Sequence, residues 1–133
     1  MKGISSNIPK TLIPSSRLVC ADNSGAKILM IINKVGKGGR KGGKLASSGI
    51  GDVVMTSVKS GTPQYAKTKV LAVIIRQKSP IRRANGMRVR FEDNAAILVK
   101  EGNLPIGTEV KGAMAREVIE RYIKLAGIAS RVV

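Results

Sequence analysis

Histidine is absent from the 133 residues and cysteine occurs once, at Cys20. A Cys/His zinc site therefore cannot be assembled, and no disulfide can form within the chain. Ser-His-Asp and Cys-His catalysis are excluded for the same reason. Aromatic side chains are scarce: Tyr65, Phe91 and Tyr122 are all there are. No apolar run approaches the roughly 18–20 residues of a membrane span. Lys2 and Lys10 near the N-terminus are not followed by an apolar stretch of about 7–15 residues, so no secretory signal is expected. Acidic residues are few, with 8 Asp+Glu against 24 Lys+Arg and a formal charge of +16. A soluble, strongly basic single domain, cytosolic or organellar, is expected, with no cofactor, no bound metal and no membrane partner.

The charge is unevenly placed. Residues 1–91 hold 18 basic side chains and two acids, Asp22 and Asp52, whereas residues 92–133 hold six of each. The whole surplus belongs to the first part, which repels itself unless a polyanion supplies counter-charge. Two clusters dominate. Gly36–Lys44 (GKGGRKGGK) carries Lys37, Arg40, Lys41 and Lys44 among five glycines. The second spans fifteen residues without an acid and carries Arg76, Lys78, Arg82, Arg83, Arg88 and Arg90. Glycine breaks the first, and Pro80 and Gly86 break the second, so neither forms the amphipathic basic helix of a membrane-surface binder.

Residues 1–16, with Pro9 and Pro14, read as an extended arm outside the core. Short strands follow at 17–22, 26–35, 50–59, 69–77, 87–91 and 95–100, with a further short strand expected at 109–111. Asp22 is expected to organise the turn at Asn23–Gly25 through its carboxylate. In Met87–Phe91 the alternation puts Met87, Val89 and Phe91 toward the core and Arg88 and Arg90 outward. In Ala115–Ala126 the period changes, and Ile119, Tyr122, Ile123 and Ala126 share one helical face, with Gly127 placed to stop the helix. The pattern implies a small barrel or sandwich with a short C-terminal helix.

Gly38–Lys44 nearly matches a phosphate-binding G-x-x-x-x-G-K-[ST] loop, but Leu45 stands where the Mg²⁺-binding hydroxyl belongs and the next residues are poor helix formers. A glycine-rich loop that lets the backbone approach a phosphate ridge accounts for it better. Guanidinium forks at Arg82, Arg83, Arg88 and Arg90 suit phosphate oxygens. With few aromatic stacking platforms, the expected target is a folded RNA read by shape and backbone, not loose bases. A small enzyme would need a nucleophile–base pair, and Ser79 beside Lys78 points to the opposite face of a strand. A free-standing RNA-binding barrel, such as an RNA chaperone or translation factor, is the alternative; it would want exposed aromatics.

Four stretches, Ala21–Lys27 (ADNSGAK), Gly49–Val54 (GIGDVV), Asn85–Val99 (NGMRVRFEDNAAILV) and Pro105–Gly112 (PIGTEVKG), resemble the large-subunit ribosomal protein L-fourteen family. Ala72–Ile75, Asn85-Gly86, Phe91 and Asn94 follow its signature, with Ile97 where Val is more usual. The arm and the RFEDNAA wording resemble the archaeal and eukaryotic branch. The resemblance implies a five-stranded barrel of the oligonucleotide-binding type, a protruding β-ribbon and a small helical C-terminal part. It implies a non-enzymatic constituent of the large ribosomal subunit that binds large-subunit rRNA and has a place on the face that meets the small subunit. Implied partners are small-subunit rRNA across an intersubunit bridge, ribosomal proteins L-three and L-twenty-four-e, and the anti-association initiation factor six. With the charge map, this assigns Lys37, Arg40, Lys41, Lys44, Arg76, Lys78, Arg82, Arg83, Arg88 and Arg90 to rRNA. Thr108, Glu109, Arg116 and Lys124, in the balanced part, are expected to face protein or the subunit interface.

Overall fold

The computed structural model describes residues 6–36 and 46–133. Five strands rich in branched apolar residues close on themselves: β1 (Arg17–Cys20), β2 (Ala26–Lys34), β3 (Val53–Gly61), β4 (Lys69–Arg76) and β7 (Ala95–Lys100). Neighbours pair antiparallel in the order β1-β2-β3-β4-β7. The ring is closed by a parallel pairing of β1 with β7, Val19 opposite Ala95 and Cys20 opposite Ala96. Closure leaves the barrel strands without free edges. The barrel is the one implied by the resemblance.

Ala72–Ile75 of β4 and Ala95–Val99 of β7 are buried on both faces. One face looks into the barrel. The turn at 51–52 extends the β3 ladder to Ile74 and Ala115 bonds Ile75, and Met114, Val118 and Leu125 of the C-terminal segment join the same buried cluster. That two-sided burial is why these strands read as unbroken apolar runs. In β2 the alternation fails at register shifts, and consecutive Lys27–Ile28 and Ile32–Asn33 both face out. Where β2 turns against β3, a Cβ on Gly61 (φ 156) would lie 2.8 Å from the Gly25 carbonyl oxygen. Only glycine permits that approach.

Outside the barrel, β5 (Ile81–Arg82) and β6 (Arg88–Val89) form a short hairpin. The residues Leu104–Pro105 (β8) pair with the end of β7, and β9 (Ala113–Met114) pairs in parallel with β10 (Arg131–Val132). Val110 makes only an isolated bridge to Asp22, in place of the strand expected at 109–111.

Three further expectations are corrected. The arm contributes to the core: Leu12 is buried and bridges Ser48, and Asn7 bridges Arg82. Met87 sits at the hairpin tip and is 61% exposed, so only Val89 and Phe91 of its alternating set pack against the core. The continuous helix over 115–126 is interrupted. The α-helix α1 covers Arg116–Arg121, Tyr122 leaves helical geometry (φ −127, ψ 85), and Ile123–Ile128 continue as a 3₁₀ segment. The break rotates the apolar face, so Val118, Tyr122 and Leu125 are buried while Ile123 is 78% exposed.

Candidate nucleic-acid interface

The β5–β6 hairpin sorts its side chains by strand alternation. Ile81 and Val89 are paired on the inner face, and Arg82 and Arg88 are paired on the outer one. The Asn85-Gly86 turn closes it: the Asn85 side-chain oxygen accepts from the Met87 N–H at 3.0 Å, and Gly86 adopts φ 85. The arm reinforces the other edge through reciprocal backbone bonds between Asn7 and Arg82. Like charges directly opposite each other repel, so the hairpin holds two guanidinium groups against their mutual repulsion. Lys78, Arg82, Arg88 and Arg90 are exposed. Among the described residues none of the four has a carboxylate within ion-pair distance.

Arg76 and Arg83 are placed differently. Arg76 is buried, its fork bonded to Asp93 at 2.9 and 3.2 Å, and its Nη1 donates to the carbonyls of Lys111 and Ala113. Gly112 (φ 83) makes room for it, since a Cβ there would lie 2.6 Å from that nitrogen. Arg83 turns inward beside Arg82, as adjacent strand residues must. It pairs with Glu117 at 2.9 Å and donates to the Val133 carbonyl. Both guanidinium groups have protein acceptors. Lys37, Arg40, Lys41 and Lys44 lie outside the described residues. The glycine-basic loop and its near-match to a phosphate-binding loop lie there too.

On the balanced side, Thr108, Glu109, Arg116 and Lys124 are all exposed. Thr108 is held by two bonds to the Asn23 side chain, 2.8 Å at its hydroxyl and 2.9 Å at its N–H. Arg116 and Glu120 are a loose i,i+4 pair at 3.8 Å.

Two buried carboxylates shape the surroundings. Burial works to raise the pKa of Glu117, but hydrogen bonds from Arg83 and Ser6 and the Arg83 charge outweigh it and hold it below the usual 4.5. Burial likewise opposes ionisation of Asp52. Hydrogen bonds from Lys10 and the Gly49 N–H, with the charges of Lys10 and Lys34, more than offset it and hold Asp52 below 3.8. This second cluster escaped the sequence reading. Its signal was Asp52 itself, one of two acids in a basic stretch of 91 residues. Asp22 does organise its turn, accepting from Ser24, and also accepts from the Leu98 N–H at 2.9 Å, tying the β1–β2 turn to β7. Cys20 is buried beside Asp22; burial first, then the Asp22 charge, push its thiol up to about 12, so it is a packing residue and not a nucleophile.

Fold and surface together define a small closed β-barrel with an exposed, unneutralised set of cations on one outer hairpin. Residues 11–133 match the sequence model of the family described as ribosomal protein L14p/L23e. The chain is 47% identical to the large ribosomal subunit protein uL14 of Methanocella arvoryzae over 133 residues, all of both chains. It is 47% identical to that of Methanoregula boonei and 43% to that of Halorubrum lacusprofundi, again over the full length of both. The chain belongs to the ribosomal protein L14p/L23e family.

Proposed function

We propose that this protein is a structural, non-enzymatic constituent of the large ribosomal subunit in the cytoplasm, binding large-subunit rRNA through its basic face and contributing to the intersubunit interface. Family membership and full-length similarity to archaeal large-subunit proteins support the ribosomal role. The observation that carries the rRNA face is the outward Arg82–Arg88 pair, with Lys78 and Arg90 also exposed and no described acid in reach. Guanidinium groups held against mutual repulsion are suited to a phosphate backbone, which supplies the missing charge. Lys37, Arg40, Lys41 and Lys44 are further rRNA contacts in this reading, on the strength of their charge and of the glycines beside them in the sequence. Arg76 and Arg83 serve it indirectly, by fixing the strands that carry it.

The balanced part is the side for protein neighbours. Thr108, Glu109, Arg116 and Lys124 are exposed there, and the proposed neighbours are ribosomal proteins L-three and L-twenty-four-e, initiation factor six, and small-subunit rRNA across the bridge. Measuring rRNA affinity against salt tests the basic face. The Arg82→Ala/Arg88→Ala double variant flattens the log–log salt slope by about one to two units. Arg83→Ala instead lowers stability by about 3 kcal/mol, because it leaves Glu117 buried and unpaired, and leaves the slope unchanged. An unaltered slope in the double variant removes the hairpin from the RNA contact.

A further inference from the structure

Four segments distant in sequence converge on one carboxylate. Lys10 comes from the arm, Lys34 from the end of β2, Asp52 from the turn before β3, and Arg121 from the end of α1. Lys10 Nζ lies 2.8 Å and Lys34 Nζ 3.2 Å from Asp52 Oδ2, and Arg121 Nη1 lies 3.5 Å from Oδ1. Asp52 is 6% exposed and also accepts from the Gly49 N–H at 2.9 Å. These groups line a cleft of about 560 Å³ whose walls include Val53, Leu71 and the Glu101–Asn103 turn. Glu101 is the second acid of the lining, so three cations face two acids, and only Asp52 is within ion-pair distance of them.

One carboxylate cannot neutralise three cations held this close. The Lys34 and Arg121 side chains are 14% and 18% exposed, so bulk water screens them poorly. Arg121 Nε is fully buried and has no hydrogen-bond acceptor among the described residues. A buried donor without an acceptor is destabilising. The arrangement lacks anionic oxygen. A divalent cation is excluded by the positive surplus, and an apolar ligand by the charged walls.

We propose that this cleft holds a single phosphodiester of the rRNA, contacted by Lys10, Lys34 and Arg121, with Asp52 positioning the three cations. It deepens the rRNA-binding reading above and rests on it. The cleft is a separate phosphate contact from the hairpin, built by side chains that the charge clusters in the sequence do not include. Asp52 keeps the cations together before RNA arrives.

Phosphate-ethylation interference tests it, using the full chain bound to a large-subunit rRNA transcript. Lys34→Gln and Lys10→Gln each abolish interference at the same one or two adjacent phosphates, and each lowers the log–log salt slope by about one unit. Both leave intact the phosphates lost in Arg82→Ala. If the wild-type chain binds and both variants keep its full interference map, the cleft is not an RNA site and the proposal falls; an occupant from a protein neighbour would give this result. If the wild-type chain shows no salt-dependent rRNA binding, the rRNA reading itself falls. Circular dichroism checks folding. Should Lys34→Gln not fold, Lys10→Gln decides, because the Lys10 side chain is 39% exposed at the rim.

Discussion

Glu117 illustrates how one acid of the balanced part serves the basic part. It is 1% exposed and accepts from Arg83 at 2.9 Å and from Ser6 at 2.8 Å. Its pKa is lowered in the fold, as is that of Asp52. In both cases the unfolded chain binds the proton more readily, so stability is intact above the unfolded values of 4.5 and 3.8 and is lost as pH falls through the lower folded values. The thermal midpoint is therefore flat from pH 7 to about 5 with respect to these groups and falls steeply below about pH 4.5. Glu117→Gln costs about 3 kcal/mol at neutral pH by leaving the Arg83 charge buried, and makes the acid limb shallower. Melting curves from pH 2 to 7 for both proteins check this; parallel acid limbs would show that Glu117 is not a source of the acid sensitivity.

At the scale of elements, the arm and the C-terminal segment are held to the barrel by polar clamps as well as by apolar contact. Gln77, at the end of β4, is fully buried. Its Oε1 accepts from the Ile50 N–H at 3.1 Å, and its Nε2 donates to the Pro9 carbonyl at 3.3 Å and the Ser79 carbonyl at 3.2 Å. One side chain thus joins the arm, the turn before β3 and the strand leading to the basic hairpin. Gln77→Leu keeps the apolar bulk and strands all three partners, at a cost of about 2–4 kcal/mol. Hydrogen exchange localises the loss: the amides of Ile50 and Leu12 lose protection before those of β4 and β7. Uniform loss across the barrel would mean that Gln77 acts through global stability alone. The same turn is held from the C-terminal segment: Tyr122, at the break after α1, donates its hydroxyl to the Gly51 carbonyl at 3.0 Å, and Arg121 reaches the same oxygen at 3.2 Å. These contacts fix the helix break that sends Ile123 outward.

For the whole molecule, the neutrality of residues 92–133 holds only in sequence. Two of their six acids, Asp93 and Glu117, pair with Arg76 and Arg83 of the basic part. In return Arg121 pairs with Asp52 of the basic part, so five cations and four acids of residues 92–133 stay outside such pairs, a surplus of one. The net +16 repels itself across a chain of this size. The isolated protein accordingly gains stability as salt rises from about 10 to 300 mM, by about 1 kcal/mol or roughly 3–5 °C in Tm. Differential scanning calorimetry checks this. A midpoint that falls with salt would show that the internal ion pairs outweigh the long-range repulsion.

The sequence by itself determined the barrel strands, the outward alternation of Arg88 and Arg90, the Asn85-Gly86 hairpin turn and the role of Asp22. These follow from period, turn chemistry and charge count, all local quantities. Only the tertiary structure decided which cations are available. Arg76 and Arg83 look identical to Arg82 and Arg88 in a charge count, and their partners lie 17 and 34 residues away. The same distance in sequence hid the burial of Leu12, the broken helix at Tyr122 and the gathering of Lys10, Lys34 and Arg121 around Asp52. Pairing across a closed barrel depends on where segments meet, and no window along the chain records that.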